Sequence, residues 1–136
     1  MNNDELILRA EQALLREPVY ITAVPASASR GDRHDYYSQG DYWWPDPQSE
    51  GGVPFIRRDG EPYPGRFEEH RRILRRMAAD VSALAAGYAV RGDKRYALHA
   101  AEALRLFFVD TATRMRPCLT FAQAIPGVCS GRSTGI

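Results

Sequence analysis

The chain has 136 residues, 44% of them hydrophobic, and a formal net charge of +1 from 18 basic and 17 acidic side chains. That length buries roughly two-thirds of the unfolded surface, enough for one domain or part of one and not for two. So even a charge balance gives no overall field to hold a nucleic-acid backbone or an anionic membrane, and no run of about 18 apolar residues is present to cross a bilayer. Neither nucleic acid nor membrane is expected as a partner, and an anionic ligand has to be met locally.

The amino terminus reads MNNDELILRAEQALLRE. Acidic residues interrupt it and no continuous apolar stretch follows a basic start, so it does not read as a signal peptide. The expectation is a cytoplasmic chain, or one that begins after a removed leader. Asp4 can cap a first helix, 4–16, whose apolar residues Leu6, Ile7, Ala10, Ala13 and Leu14 recur at helical spacing until Pro18 prevents continuation.

Residues 20–65 read as a long loop. Within it, 32–60 runs DRHDYYSQGDYWWPDPQSEGGVPFIRRDG, with five aromatics between Tyr36 and Trp44. Pro45, Pro47, Gly51, Gly52 and Pro54 rule out a long helix, which puts the aromatics on an ordered loop, the setting of a binding surface. The composition suits a sugar.

A helical hairpin is expected over 66–108. Its first helix presents Ile73, Met77, Val81, Leu84 and Tyr88 as one apolar stripe. Gly92 fits a left-handed C-terminal position, and Asp93 can cap the next helix, 94–108. That helix has one apolar line at Tyr96, Ala100, Leu104 and Phe107 and another at Ala97, Ala101 and Phe108, so it should pack between neighbours. Alanines and Gly87 permit close helix approach. Arg66, Arg71, Arg72, Arg75 and Arg76 invite a polyanion, but Glu68 and Glu69 precede Arg72 by four and three positions, which favours a solvated, salt-bridged face. No β-hairpin pattern, internal repeat or low-complexity tract is convincing. Cys118 and Cys129 can form a disulfide in an oxidising compartment; reduced, structural thiols are the expectation. Three scattered histidines and two cysteines give no metal-ligand spacing, so neither a metal nor a cofactor is expected.

Downstream, 113–136 reads TRMRPCLTFAQAIPGVCSGRSTGI: a methionine and a proline, then A-Q-A-I-P-G and G-R-x-x-G-I. With the aromatic block, in this order, it resembles the amino-terminal region of the alginate lyase family, polysaccharide lyases that cleave polyuronates such as alginate or glucuronan. The resemblance covers roughly residues 20 to 136. It implies an all-α fold, an incomplete α/α toroid of helical hairpins with a long aromatic-rich loop, and an acidic polysaccharide as partner. It also implies β-elimination, in which the uronate carboxylate is stabilised, the proton on the adjacent ring carbon is removed and the departing glycosidic oxygen is protonated. In the family these proton transfers fall to histidine and tyrosine, and its asparagine-histidine pair lies carboxy-terminal to the matched region. No such pair occurs in these residues. A single hairpin cannot close a toroid, so the chain reads as the amino-terminal portion of a larger lyase; a non-catalytic polyuronate-binding remnant and a generic helical interaction module are the alternatives. The family implies a periplasmic or secreted protein. The preferred uronate and the oligomeric state are not encoded legibly.

Within that frame the expected substrate-binding residues are Tyr36, Tyr37, Tyr42, Trp43, Trp44, Arg57, Arg58, Gln123 and Arg132. Trp43 and Trp44 offer flat faces for a pyranose, and the tyrosines add hydroxyls; equally, either tryptophan can plug the loop onto its own scaffold. Arg57 and Arg58 can fork to a carboxylate, or pair with Asp59 and Glu61. Adjacent residues of extended chain point opposite ways, so one of the two faces the ligand. Gln123 has an amide that can donate, and Arg132 sits in a glycine-rich turn. His34 is the local candidate for an acid or base, with turn stabilisation beside Asp32 and Asp35 as the competing role. His70 and His99 read as structural.

Overall fold

The computed structural model describes residues 1–134. The chain divides into two compact units, one of Met1–Ala23 with Arg72–Met115 and one of Val24–Arg71 with the described residues from Arg116 onward. No helix among the described residues is long and apolar enough to cross a membrane.

The first unit holds α1 (Asn3–Leu14), most of α2 (Glu69–Arg91) and α3 (Lys94–Phe108). A capping box starts α1: the Asn2 side-chain oxygen accepts the Glu5 amide at 2.9 Å, and the Glu5 carboxylate accepts the Asn2 amide at 3.1 Å. The cap is thus Asn2 and not the expected Asp4, because only Asn2 has a glutamate three residues on to close the box. Asp4 lies in the first turn, where its charge faces the positive end of the helix. The helix stops at Leu14, short of the expected 16, as the Arg16 amide tightens onto the Ala13 carbonyl at 3.1 Å.

Ala10 and Ala13 of α1, flanked by Ile7 and Leu14, cluster with Leu84, Tyr96 and Ala100. Gly87 admits this approach, since a Cβ there would collide with the Ala10 methyl and stand 3.2 Å from the Tyr96 ring. Met77, Val81 and Leu84 carry the α2 stripe inward, but Tyr88, expected to extend it, is exposed, because the inward position belongs to Gly87. At the hairpin corner Gly92 takes a φ of 70° and its amide donates to the Tyr88 carbonyl at 2.7 Å, while Asp93 caps α3 through the Arg95 amide at 3.0 Å, both as expected. On α3, Tyr96, Ala100, Ala103 and Phe107 are buried. The second apolar line is not buried: Ala97 is half-buried, Ala101 is exposed and Phe108 is 45% exposed, and from the first line Leu104 is 40% exposed. The helix is therefore covered on one side, not packed between neighbours. Arg16, just past the end of α1, grips Asp80 of α2 with Nη2 at 2.6 Å and Nε at 3.1 Å, so a basic partner meets α2 from outside the hairpin.

The second unit is made of short strands and pinned loops. β1 (Tyr37–Gln39) pairs in parallel with β4 (Phe121–Ala124), and β2 (Trp43–Trp44) pairs antiparallel with β3 (Ile56–Arg57). Residues 20–65 are thus not one continuous loop, and the expected all-α fold is helix-rich with four short strands. These strands are two to four residues long, too short for alternation to register, and β1 finds its partner near the far end of the chain. Elsewhere the loop backbone is satisfied by single bonds: the Tyr63 amide to the Asp41 carbonyl at 2.8 Å, the Asp46 amide to Gly52 at 2.8 Å, and the Phe55 amide to Pro126 at 2.9 Å.

His70 anchors the centre of this unit. It is buried, its Nδ1 accepts the Tyr37 amide at 3.0 Å, and its Nε2–H donates to the Val24 carbonyl at 2.7 Å, which fixes a neutral tautomer. Phe67 meets it edge-on at 4.9 Å between ring centroids, and Tyr37 packs against Phe67 at 5.5 Å. Burial holds the His70 pKa below its ordinary value. Cys118 and Cys129 are free thiols.

Candidate functional site

A cleft of about 550 Å³ opens within the second unit, lined by Gly40, Asp41, Tyr42, Trp43, Arg57, Gln123, Ile125 and Arg132. Five of the expected binding residues meet there: Tyr42, Trp43, Arg57, Gln123 and Arg132. Strand pairing explains the selection. Trp43 stands directly opposite Arg57 in the β2–β3 pair, so both side chains project from the same face, while Trp44 and Ile56 project from the other. Gly40 keeps the rim open, since a Cβ there would stand 2.8 Å from Trp43 Cδ1.

Gln123 enters the cleft by a backbone irregularity. Tyr37 pairs with Phe121 and Gln39 with Ala124, so β4 spends one more residue than β1 over the same span, a bulge. Gln123, inside that bulge, has a φ of 57°, a left-handed conformation that costs a residue with a side chain roughly 1–2 kcal/mol. Its side-chain oxygen accepts a hydrogen bond from Arg132 Nη1 at 3.1 Å. That leaves the Gln123 amide NH₂ and the remaining Arg132 donors as hydrogen-bonding groups toward the cleft.

The other expected residues lie elsewhere. Tyr36 and Tyr37 are 7% and 2% exposed, so they belong to the interior of the unit and not to a ligand surface. Burial raises the Tyr37 hydroxyl, against a hydrogen bond from Gln39 that lowers it. Trp44 packs on Tyr63 at 5.1 Å between centroids and its indole N–H donates to the Glu61 carbonyl at 2.7 Å, while the Arg58 guanidinium covers its ring at 4.4 Å. Arg58 also pairs with Glu61 at 3.0 Å, so Trp44 and Arg58 brace the loop. Arg57, although in the cleft, has Asp59 at 2.5 Å and is exposed. His34 sits in a turn: its amide donates to Asp32 at 2.8 Å and its carbonyl accepts the Arg116 amide at 2.7 Å, and it does not line the cleft. The Gly135 and Ile136 end of the G-R-x-x-G-I pattern lies outside the described residues.

Two side chains of consequence, Asp41 and Arg116, escaped the sequence reading. Asp41 lines the cleft and holds Arg71 at 3.0 Å and Arg66 Nε at 2.9 Å; the Arg66 contact is an ion pair whose angle makes no hydrogen bond, which leaves that buried Nε–H without an acceptor. Arg116 clamps the turn below, pairing with Asp32 at 3.0 Å and with buried Asp35. Arg116, and then the His34 amide, hold the Asp32 carboxyl below its ordinary range. A charge count along the chain gives no sign of either clamp, because the partners are far apart in sequence. Among the described residues no group of three or more His, Cys, Asp or Glu could hold a metal ion.

The cleft thus sets one aromatic face beside two guanidiniums and an amide. The alginate lyase family model matches residues 21–136. A crystal structure of an alginate lyase from Bacteroides ovatus superposes with a TM-score of 0.80 at 38% identity, over 92% of this chain and 33% of that one. The chain thus spans about a third of the length of that structure. No curated protein matches at a significant level. The resemblance seen in the two sequence blocks holds, and the chain belongs to the alginate lyase family.

Proposed function

We propose that this chain is the sugar-binding front portion of a polysaccharide lyase that cleaves a uronic-acid polymer, alginate or a glucuronan-like chain, by β-elimination. The observation that carries the reading is the cleft itself, where the Trp43 face can take the C–H surface of a pyranose while Arg57, Arg132 and the Gln123 amide take its carboxylate and hydroxyls. The toroid and the missing catalytic groups would come from the remaining two-thirds of the length seen in the Bacteroides ovatus enzyme. A periplasmic or secreted location goes with the family; a cytoplasmic one is the alternative.

A second reading, a non-catalytic polyuronate-binding remnant, is favoured by where the three histidines lie. His70 is locked in the interior, His99 bonds the Arg16 carbonyl at 2.8 Å, and His34 is a turn residue, so none lines the cleft.

Calorimetric titration with an oligouronate and with its carboxyl-reduced, neutral counterpart tests the uronate preference. The charged ligand is expected to bind at least about tenfold more tightly, the size of one charge-assisted hydrogen bond. Equal affinities would sink the uronate reading. Fusing the chain to the remaining two-thirds of the Bacteroides ovatus enzyme and following the unsaturated product then separates a lyase portion, which gains cleavage, from a remnant, which does not.

A further inference from the structure

Gln123 is the one non-glycine residue with positive φ among the described residues, and something must keep it there. Its amide N–H donates to the hydroxyl oxygen of Ser38 at 3.0 Å. Ser38 is 3% exposed, so no bulk water can replace that acceptor. The serine is itself fixed from both sides: the Tyr37 amide donates to His70 Nδ1 at 3.0 Å, and the Gly40 amide donates to the Ala124 carbonyl at 2.9 Å. Gln39 between them is tied down by the Phe67 amide, which donates to its side-chain oxygen at 2.8 Å. A rigid strand thus presents one hydroxyl to the one strained residue of the cleft.

We propose that Ser38 is a positioning residue of this cleft: its hydroxyl holds Gln123 in the left-handed conformation and so aims the Gln123 amide, and through it Arg132, at an incoming uronate carboxylate. The role rests on the carbohydrate reading above. Ser38 does not line the cleft, so its influence on a ligand has to pass through Gln123. An alanine at 38 would leave the pairing of β1 with β4 in place but let the bulge relax toward negative φ, turning the Gln123 side chain away from Arg132.

The test uses the 136-residue chain with two readouts, hydrogen exchange at the Gln123 amide and affinity for an oligouronate. Ser38→Ala is expected to speed the exchange and to weaken binding about fivefold to tenfold, the size of one hydrogen bond. In a Gln123→Gly background, where glycine takes positive φ unaided, the same change is expected to add less than about twofold. Equal losses in both backgrounds overturn the proposal, because the effect would then not run through Gln123. It is also overturned if Ser38→Ala binds like the unaltered chain while Trp43→Ala and Arg132→Ala bind weakly. If those two variants are silent as well, the carbohydrate reading itself has failed and the role of Ser38 falls with it; the exchange rate still reports the Ser38 contact without any ligand. Should Ser38→Ala not fold, Ser38→Cys, nearly the same size but a weak acceptor, carries the comparison and is expected to show a smaller loss of the same kind.

Discussion

In the helical unit the buried cluster is Ala10, Ala13, Leu84, Tyr96 and Ala100, whereas all three buried polar or charged side chains among the described residues, Asp35, Ser38 and His70, lie in the strand-and-loop unit. The first is held by apolar contact, which is strong but non-directional and sets distances only to within the slack of packing. The second is held by hydrogen bonds whose geometry fixes individual atoms, at the cost that each buried group fails badly if its partner is lost. A binding cleft needs atoms placed to a fraction of an ångström, and the proposed one lies in the unit that has them pinned.

The comparison breaks most visibly at the centre of the helical cluster. Leu84 has no exposed surface, so Leu84→Ala should destabilise the helical unit by about 2–5 kcal/mol in denaturant titration. A loss below about 1 kcal/mol would mean that the packing described for α1, α2 and α3 does not carry this unit.

His70 sharpens the polar side of the comparison through pH. Its folded pKa is held below the ordinary value of 6.5, mainly by burial, against the pull of the Val24 carbonyl and Glu69. The unfolded chain therefore takes up a proton first as pH falls. The stability contributed by neutral His70 is fully present above 6.5 and is lost as pH drops from there through the folded value, at no more than about 1.4 kcal/mol per unit from this one group. His70→Gln, which keeps a hydrogen-bonding side chain but cannot titrate, should flatten that slope in urea melts between neutral and acid pH. An unchanged slope would exonerate His70.

The smallest effect separates two neighbouring tryptophans. Trp44→Ala removes the Tyr63 packing, the bond to Glu61 and the seat of Arg58, and should cost about 1–2 kcal/mol of stability. Trp43→Ala should instead weaken oligouronate binding and leave the melting curve within about 0.5 kcal/mol. Swapped outcomes would exchange their roles.

The same division decides what could be read from the chain. Helical periodicity carried the hairpin, its Gly92 and Asp93 corner and the limits of α3, because each signal lies within a few residues of what it specifies. It could not see that α3 is covered on only one side, since an apolar line is the same string of letters whether or not something lies against it. In the other unit, composition picked out the aromatic stretch but not its sorting: Tyr36 and Tyr37 go inward while Tyr42 and Trp43 face the cleft, a choice made by pairings with β3 and β4 across long sequence gaps. Asp41, Arg116 and Ser38 were missed for that reason; each acts on a partner brought close only by the fold.

The most direct measurement is an NMR titration of the chain with an oligouronate, following the Trp43 indole N–H, the Gln123 side-chain amide and the Arg132 guanidinium against the methyl groups of Leu84 and Ala100. Saturable shifts confined to the first set, and reduced with the carboxyl-reduced ligand, are expected. No saturable shifts, or shifts centred on the exposed line of α3 at Leu104 and Phe108, would contradict a uronate-binding cleft between β2, β3 and β4.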